Sequence, residues 1–242
     1  NLNSLINLLE LMPEFDVKVF VFSSSCTVYG EPDVNPVDES APIKKATSPY
    51  GNTKQICEEI IEDFITSVAP IKSILLRYFN PVGAHPSAEI GELPNGVPHS
   101  LIPFVTQAAM GIRKELSVFG NDYNTPAGSC IRDYINVVDL AKAHVKAVER
   151  MLEDKSDDKL EVFNLGTGVG LSVLELINAF ERATDVKVPH KIAARRAGDI
   201  EKVWAMAKKA NEVLGWKADT PIEDTMRSAW NWQLKLRERG IM

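Results

Sequence analysis

The chain opens as helix, strand, helix, strand, and that alternation limits the folds open to it. Leu2 to Met12 carries Leu and Ile at helical spacing, which predicts a helix with one apolar face. Val17 to Ser23 is a β-branched and aromatic run and reads as a buried strand. Ser48-Pro49 has the residues of a helix start, Ser to cap and Pro for the first turn. The helix is expected to run to about Val68, and Ser73 to Tyr78 reads as the next strand. Strands separated by helices pack as a parallel sheet covered by helices, an α/β fold.

The predicted sheet begins abruptly. No G-x-G-x-x-G or G-x-x-G-x-x-G turn follows an opening strand. Gly166-Thr-Gly-Val-Gly170 follows the strand-like Glu161 to Asn164, but it lies late and lacks the remaining spacing. It reads as a tight turn before a helix over Ser172 to Thr184, not as a phosphate cradle. After Asn80 the texture changes. Pro81 to Pro103 is rich in Gly, Pro, His and Asn, the composition of a long functional loop. Further strands are expected at Leu116 to Phe119, Tyr134 to Val137 and Val162 to Leu165, and helices at Val138 to Leu152 and Glu223 to Arg239. A second, smaller α/β region is expected to begin near Gly83.

Charge and cysteine usage narrow the partners. The net charge of −6 argues against a nucleic-acid surface, which needs a basic face. It leaves room for an anionic small ligand held by a few local arginines. Cys26, Cys57 and Cys130 are far apart, and the four histidines are scattered. This spacing predicts neither a metal site nor a disulfide framework and fits a reducing cytoplasm. No apolar run is long enough to span a bilayer.

The sharpest local signal is Tyr50-Gly-Asn-Thr-Lys54. On a helix, positions i and i+4 share a face, so a phenol and an ammonium can point into one cleft. A Tyr pKa of about 10 makes a poor base at neutral pH; a nearby Lys charge favours phenolate and is expected to lower it. The pattern alone occurs on many exposed helices. Upstream, Phe22-Ser-Ser-Ser-Cys-Thr-Val-Tyr-Gly30 puts hydroxyls at the end of a buried strand, where open α/β sheets bind ligands. Together they make a Ser-Tyr-Lys set.

With that set in place, the sequence resembles the extended short-chain dehydrogenase/reductase family. Further segments carry the match: Arg77-Tyr-Phe-Asn-Pro-Val-Gly-Ala-His85, Phe119-Gly-Asn-Asp-Tyr123, Arg132-Asp-Tyr-Ile135, Asn164-Leu-Gly166 and Arg195-Arg-Ala-Gly-Asp199. Together these resemble UDP-galactose (UDP-glucose) 4-epimerases over essentially the whole chain. Arg-Asp-Tyr is shared across the extended family, whereas the Tyr-Phe-Asn-Pro-Val-Gly-Ala-His and Phe-Gly-Asn-Asp-Tyr runs are more specific. Dehydratases of the family carry Asp-Glu where this chain has Cys26 and Thr27; neither replaces a carboxylate pair, so dehydration is not expected.

The resemblance implies a partial Rossmann-like parallel sheet, later strands only, in residues 1–82, and a smaller C-terminal α/β substrate-binding domain in 83–242, some of whose segments return to the first. It implies interconversion of UDP-galactose and UDP-glucose through a 4-keto sugar, with NAD as cofactor. Tyr50 removes the 4-hydroxyl proton, Ser25 hydrogen-bonds that hydroxyl, and Lys54 holds the nicotinamide ribose. Ser23 and Tyr78 join Tyr50 and Lys54 on the cofactor side. Arg132 and Arg196 match pyrophosphate contacts, which suits a guanidinium. Asp199 matches a ribose contact, Leu101 and Phe119 uracil-pocket positions, and Asn80 a sugar or pyrophosphate contact, while Tyr134 lines the UDP end. Ser100 stands where Asn is usual, Asn136 where His is frequent, and Ala127-Gly-Ser129 where Asp-Gly-Thr is usual.

Val203 stands four places after Asp199, where members selective for unsubstituted sugars often carry Tyr, so a pocket admitting N-acetylated sugars is expected. The resemblance further implies a homodimer through the helices starting near Leu2 and Pro49. By family length, on the order of 100 residues of the NAD-binding half are missing, so this chain alone is expected to bind no NAD tightly and to be inactive. Two alternatives stay open: an epimerase for UDP-N-acetylhexosamines or UDP-uronates, and a non-catalytic nucleotide-sugar binder.

Overall fold

A computed structural model describes residues 2–67, 71–196 and 198–241. In chain order the helices are α1 (Leu2–Glu14), α2 (Pro49–Ser67), α3 (Leu101–Ala109), α4 (Val137–Leu152), α5 (Val173–Thr184), α6 (Lys208–Glu212) and α7 (Ile222–Glu238). The strands are β1 (Val19–Ser25), β2 (Lys72–Tyr78), β3 (Asn80–Val82), β4 (Leu116–Phe119), β5 (Ile131–Asn136), β6 (Leu160–Leu165), β7 (Gly170–Ser172), β8 (His190–Ala193) and β9 (Lys202–Val203). The chain divides into two units. One comprises residues 1–79, 140–168 and 203–217, the other residues 80–139, 169–202 and 218–242.

The first unit is built on a parallel sheet in the order β1-β2-β6. One helical stripe covers it from each of two helices. Leu5, Leu9 and Met12 of α1 and Cys57, Ile61 and Ile65 of α2 are buried with Ile71 and Leu75, following the i, i+4 spacing of one helix face. Ser48 caps α2 as expected: its hydroxyl accepts the Gly51 amide at 3.1 Å, and Pro49 at the first position needs no intrahelical donor. The expected helix end at Val68 lies outside the described residues.

Beneath the sheet's carboxyl end a buried network fixes the serine run. Ser24 Oγ donates to Glu58 Oε1 at 2.5 Å, Arg77 donates from Nε and Nη2 to the same carboxylate, and Arg77 Nη1 donates to the Tyr29 hydroxyl at 3.1 Å. Tyr29 in turn donates to Asn164 Oδ1 at 2.7 Å. Every member is satisfied, the condition under which a buried polar network rigidifies rather than destabilises.

The second unit packs α3, α5 and α7 around short strands, with Val105, Val118, Leu176, Phe180 and Met226 in its core. Its strands form β3-β5-β7 and β4-β8 pairings, parallel except for β5 with β7. Ser172 and Glu175 form a reciprocal capping box at the start of α5, which is why the helix begins there. The strand expected over Tyr134 to Val137 is instead Ile131–Asn136, and Val137 opens α4. The cause is local: Asn136 Oδ1 accepts the Val138 amide at 2.8 Å, capping the helix and ending the strand. The expected loop over Pro81 to Pro103 is shortened at both ends by β3 and α3. Gly83 follows β3 with φ +86, and a Cβ there would meet Thr225 Cγ2 at 2.8 Å. Only glycine suits that combination.

Candidate active site

In the first unit the candidate groups meet at the carboxyl ends of β1 and β2. Ser25 and Tyr78 are directly paired across the two strands. Tyr50 and Lys54 lie one turn apart at the start of α2. Gly51 makes the approach possible: a Cβ there would sit 3.2 Å from the Thr27 carbonyl, so a larger residue would push the first turn of α2 away from the serine run. The Ser25 hydroxyl stands beside the Tyr50 phenol, close enough to favour its ionised form, and Ser25 Oγ accepts from the Thr27 hydroxyl at 3.0 Å.

The electrostatics differ from the expectation. Lys54 does not lower the Tyr50 phenol. Burial pushes that pKa up, the neighbouring Tyr78 and Cys26 add to the rise, and only the Ser25 hydrogen bond opposes it. The physical reason is where the ammonium points. Lys54 Nζ donates to the Ser23 carbonyl at 2.7 Å and sits 4.8 Å from the Phe22 ring centroid and 5.7 Å from that of Tyr50. Its own pKa is lowered by burial. Ser23 Oγ lies 2.9 Å from His144 Nε2, and burial pushes the Tyr78 phenol up, with the Ser23 hydroxyl opposing the rise. Thr27 and Cys26 supply no carboxylate beside the serine.

The second unit holds a cavity of about 490 Å³. Strand geometry explains its lining. Successive side chains of a strand point to opposite faces, and Arg132 and Tyr134 of β5, with Cys130 just before it, all line the cavity. Asn80, paired with Tyr134 across β3 and β5, lines it too. Leu101 and Ser100 enter from the start of α3, and Phe119 from the end of β4.

Two arginines give the cavity its charge. Arg196 Nη2 donates to Asp199 Oδ1 at 2.7 Å, and Arg132 Nη2 lies 3.9 Å from the same oxygen. The Arg196 guanidinium stands 5.6 Å over the Phe119 ring. At this wall two guanidiniums face one carboxylate, a local excess of positive charge that suits an anion, although Glu92 and Glu115 also line the cavity. Arg195, by contrast, is held by Asp122 at 2.8 Å and stacked 4.0 Å over Tyr123, so it fastens the loop of the Phe-Gly-Asn-Asp-Tyr run. Burial raises the Tyr134 phenol and the Cys130 thiol, keeping both neutral.

Thus Asn80, Ser100, Leu101, Phe119, Arg132, Tyr134, Arg196 and Asp199 share one cavity, whereas Val203 is buried within the first unit and is not among its lining residues. The lining also includes Glu92 and His99. Ser100 donates to Glu92 Oε1, which explains why it does not cap α3. Nothing in the spacing of the Gly- and Pro-rich loop marked Glu92, while His99 stood one place from a predicted contact.

Residues 1–229 match the family model described as GDP-mannose 4,6 dehydratase. The UDP-glucose 4-epimerase of Bacillus subtilis is 49% identical over 233 residues, covering 96% of this chain and 68% of that protein. UDP-glucose 4-epimerase 2 of Arabidopsis thaliana is 51% identical, covering 96% of this chain and 65% of that protein. The chain thus spans about two thirds of the length of these curated relatives. The crystal structure of UDP-glucose 4-epimerase from Bifidobacterium longum in complex with NAD+ and UDP superposes with a TM-score of 0.90 at 47% identity, covering 97% of this chain and 69% of that one.

Proposed function

The chain belongs to the UDP-glucose 4-epimerase family, and on that premise we propose that the protein containing it interconverts UDP-glucose and UDP-galactose with NAD as a bound cofactor. One observation carries the reading: Ser25, Tyr50 and Lys54 gather at the carboxyl end of β1, the place where open α/β sheets bind ligands. A pure binder has no use for a phenol, a hydroxyl and an ammonium so arranged.

The donor set fits the nicotinamide-ribose end of NAD. A ribose diol suits the Lys54 ammonium and the Tyr50 hydroxyl, and Ser23 and Tyr78 offer further hydroxyls beside them. When bound, NAD+ supplies the hydride acceptor for C4 of the hexose and later the hydride donor to the opposite face. The chain's own residues move the proton. Tyr50 takes it from the 4-hydroxyl and returns it, while Ser25 hydrogen-bonds the same oxygen and the phenol. The cavity of the second unit grips the uridine diphosphate through Arg132 and Arg196, with Asp199 accepting from the ribose and Phe119 and Leu101 against the uracil. Firm holding of the nucleotide leaves the 4-keto hexose free to turn over.

Other features support the partners. Leu8 and Leu11 of α1 are 53% and 46% exposed, which favours a homodimer through α1 and α2. Among the described residues no helix is long and apolar enough to cross a membrane. Net acidity disfavours nucleic acid, and unpaired cysteine spacing favours the cytoplasm.

The test is Tyr50→Phe in the complete enzyme. UDP binding by calorimetry should persist while turnover of UDP-galactose disappears; unchanged turnover overturns the assignment of the base. Assays with UDP-galactose beside UDP-galacturonate decide between hexose and uronate, and conversion of the uronate alone would overturn the substrate.

A further inference from the structure

Helix α7 carries Ser228, Trp232 and Leu236 at four-residue spacing, all buried, so they form one face of the helix. The loop between β3 and α3 lies along that face. Ser228 Oγ accepts the Ala84 amide at 3.0 Å. Trp232 Nε1 donates to the Glu92 carbonyl at 2.9 Å. Just past the helix end, Arg239 pairs with Glu89. The fit is tight at Gly91, where a Cβ would lie 2.5 Å from two atoms of the Trp232 ring. The backbone there is not left-handed, so the indole, and not the turn, requires glycine.

This loop ends in the wall of the anion-holding cavity. Glu92, Ser100 and Leu101 line it, and Ser100 donates to the Glu92 carboxylate. With its proton committed to Glu92, Ser100 gives α3 no side-chain cap, and the helix start is tied to the loop instead. Further along α3, Thr106 Oγ1 donates to Gln233 Oε1 at 2.9 Å. Neighbouring residues of α7 thus hold the wall twice: Trp232 holds the loop that anchors the start of α3, and Gln233 holds the helix itself. A loosened loop would also free the Glu92 carboxylate to approach the anion, where like charge opposes binding.

We propose that Trp232 is a positioning residue for nucleotide binding: its indole fixes the Gly91-Glu92 backbone, which sets the Glu92 carboxylate on Ser100 and so places the start of α3 in the cavity wall. Trp232 is not itself a lining residue and acts through Glu92 and Ser100. The inference rests on this cavity being the UDP site, as proposed above.

The test uses the complete NAD-loaded enzyme with UDP as the probe, followed by titration calorimetry and by hydrogen exchange of 15N-labelled indoles. Trp232→Phe keeps a ring against Gly91 and removes the N–H. Its Kd for UDP should rise about three- to tenfold, the worth of one neutral hydrogen bond. Ser100→Ala cuts the link to α3, so adding Trp232→Phe to it should change the Kd little further. Gly91→Ala should weaken UDP binding in the wild type, but not once Trp232→Leu has made room for the methyl group. Coupling between two events is reciprocal, so UDP should slow exchange of the Trp232 indole proton in the unmutated enzyme. An unchanged Kd in folded Trp232→Phe, the full rise persisting in Ser100→Ala, or indole exchange indifferent to UDP overturns the proposal. A wild type that binds no UDP removes the functional reading along with it, an outcome distinct from these three.

Discussion

Glu58 of α2 and Arg77 of β2 form a buried ion pair, with Nη2 and Oε2 2.6 Å apart and side chains only 10% and 8% exposed. Glu58 also accepts from Ser24, one residue before the Ser25 that meets the Tyr50 phenol. The pair therefore joins the helix bearing Tyr50 to the strand end bearing Ser25. Removing one partner of a buried pair strands the other charge. Glu58→Ala is expected to destabilise by about 3–5 kcal/mol, measured by urea denaturation. A loss below about 1 kcal/mol, the worth of a surface pair, would contradict the burial argument.

The same network predicts an alkaline limit. Burial pushes the Tyr29 phenol from its ordinary 10.0 up to about 12, against the opposing pull of Arg77. A folded-state pKa above the unfolded value means stability is fully present below pH 10 and is lost as pH rises towards 12. The contribution is roughly 3 kcal/mol for a shift of that size. Denaturation curves at stepped pH should show the loss, and Tyr29→Phe should remove its share of the slope.

In the cavity, Arg196 and Arg132 predict different losses. Arg196 is 62% exposed at its side chain and Arg132 16%. Arg196→Ala should raise the Kd for UDP about 10- to 100-fold, the loss of one or two charge-assisted hydrogen bonds. Arg132→Ala should cost more, because it also weakens the hold on the nearly buried Asp199. Arg196→Lys should recover only part, since an ammonium lacks the planar fork. Titration calorimetry with UDP ranks the three.

Val203 is 5% exposed. It does not line the cavity, so Val203→Tyr is expected to act by overpacking and to destabilise the fold by about 1–3 kcal/mol, measured by urea denaturation. Unchanged stability together with selective loss of UDP-N-acetylglucosamine conversion in the complete enzyme would instead place the side chain beside the sugar.

Much of the scaffold was legible because its signals are local. The stripe Leu5, Leu9, Met12, the cap at Ser48 and the capping box at Ser172 are all encoded within a few residues. So was the spacing that puts Tyr50 and Lys54 on one helix face. Other parts depend on partners distant in sequence. β3 has three residues and exists only by pairing with β5. Helix α3 is masked by Pro103, which reads as a breaker yet occupies the first turn, where no intrahelical donor is needed. The direction of the Tyr50 shift was misjudged because i, i+4 spacing brings Lys54 near the phenol but does not say that its proton goes to Ser23, 31 residues away.

Strand β5 also acts as a reading frame. Arg132 and Tyr134 line the cavity because they stand two apart, in phase with Cys130 just before the strand, and Ile131, Asp133 and Ile135 alternate with them. A slip of one place would exchange the two sets. The guanidinium would leave and the Asp133 carboxylate would arrive, turning an anion-holding wall into an anion-repelling one. A single-residue insertion there, without any change of composition in the rest of the wall, would abolish nucleotide binding more completely than most substitutions at the wall itself.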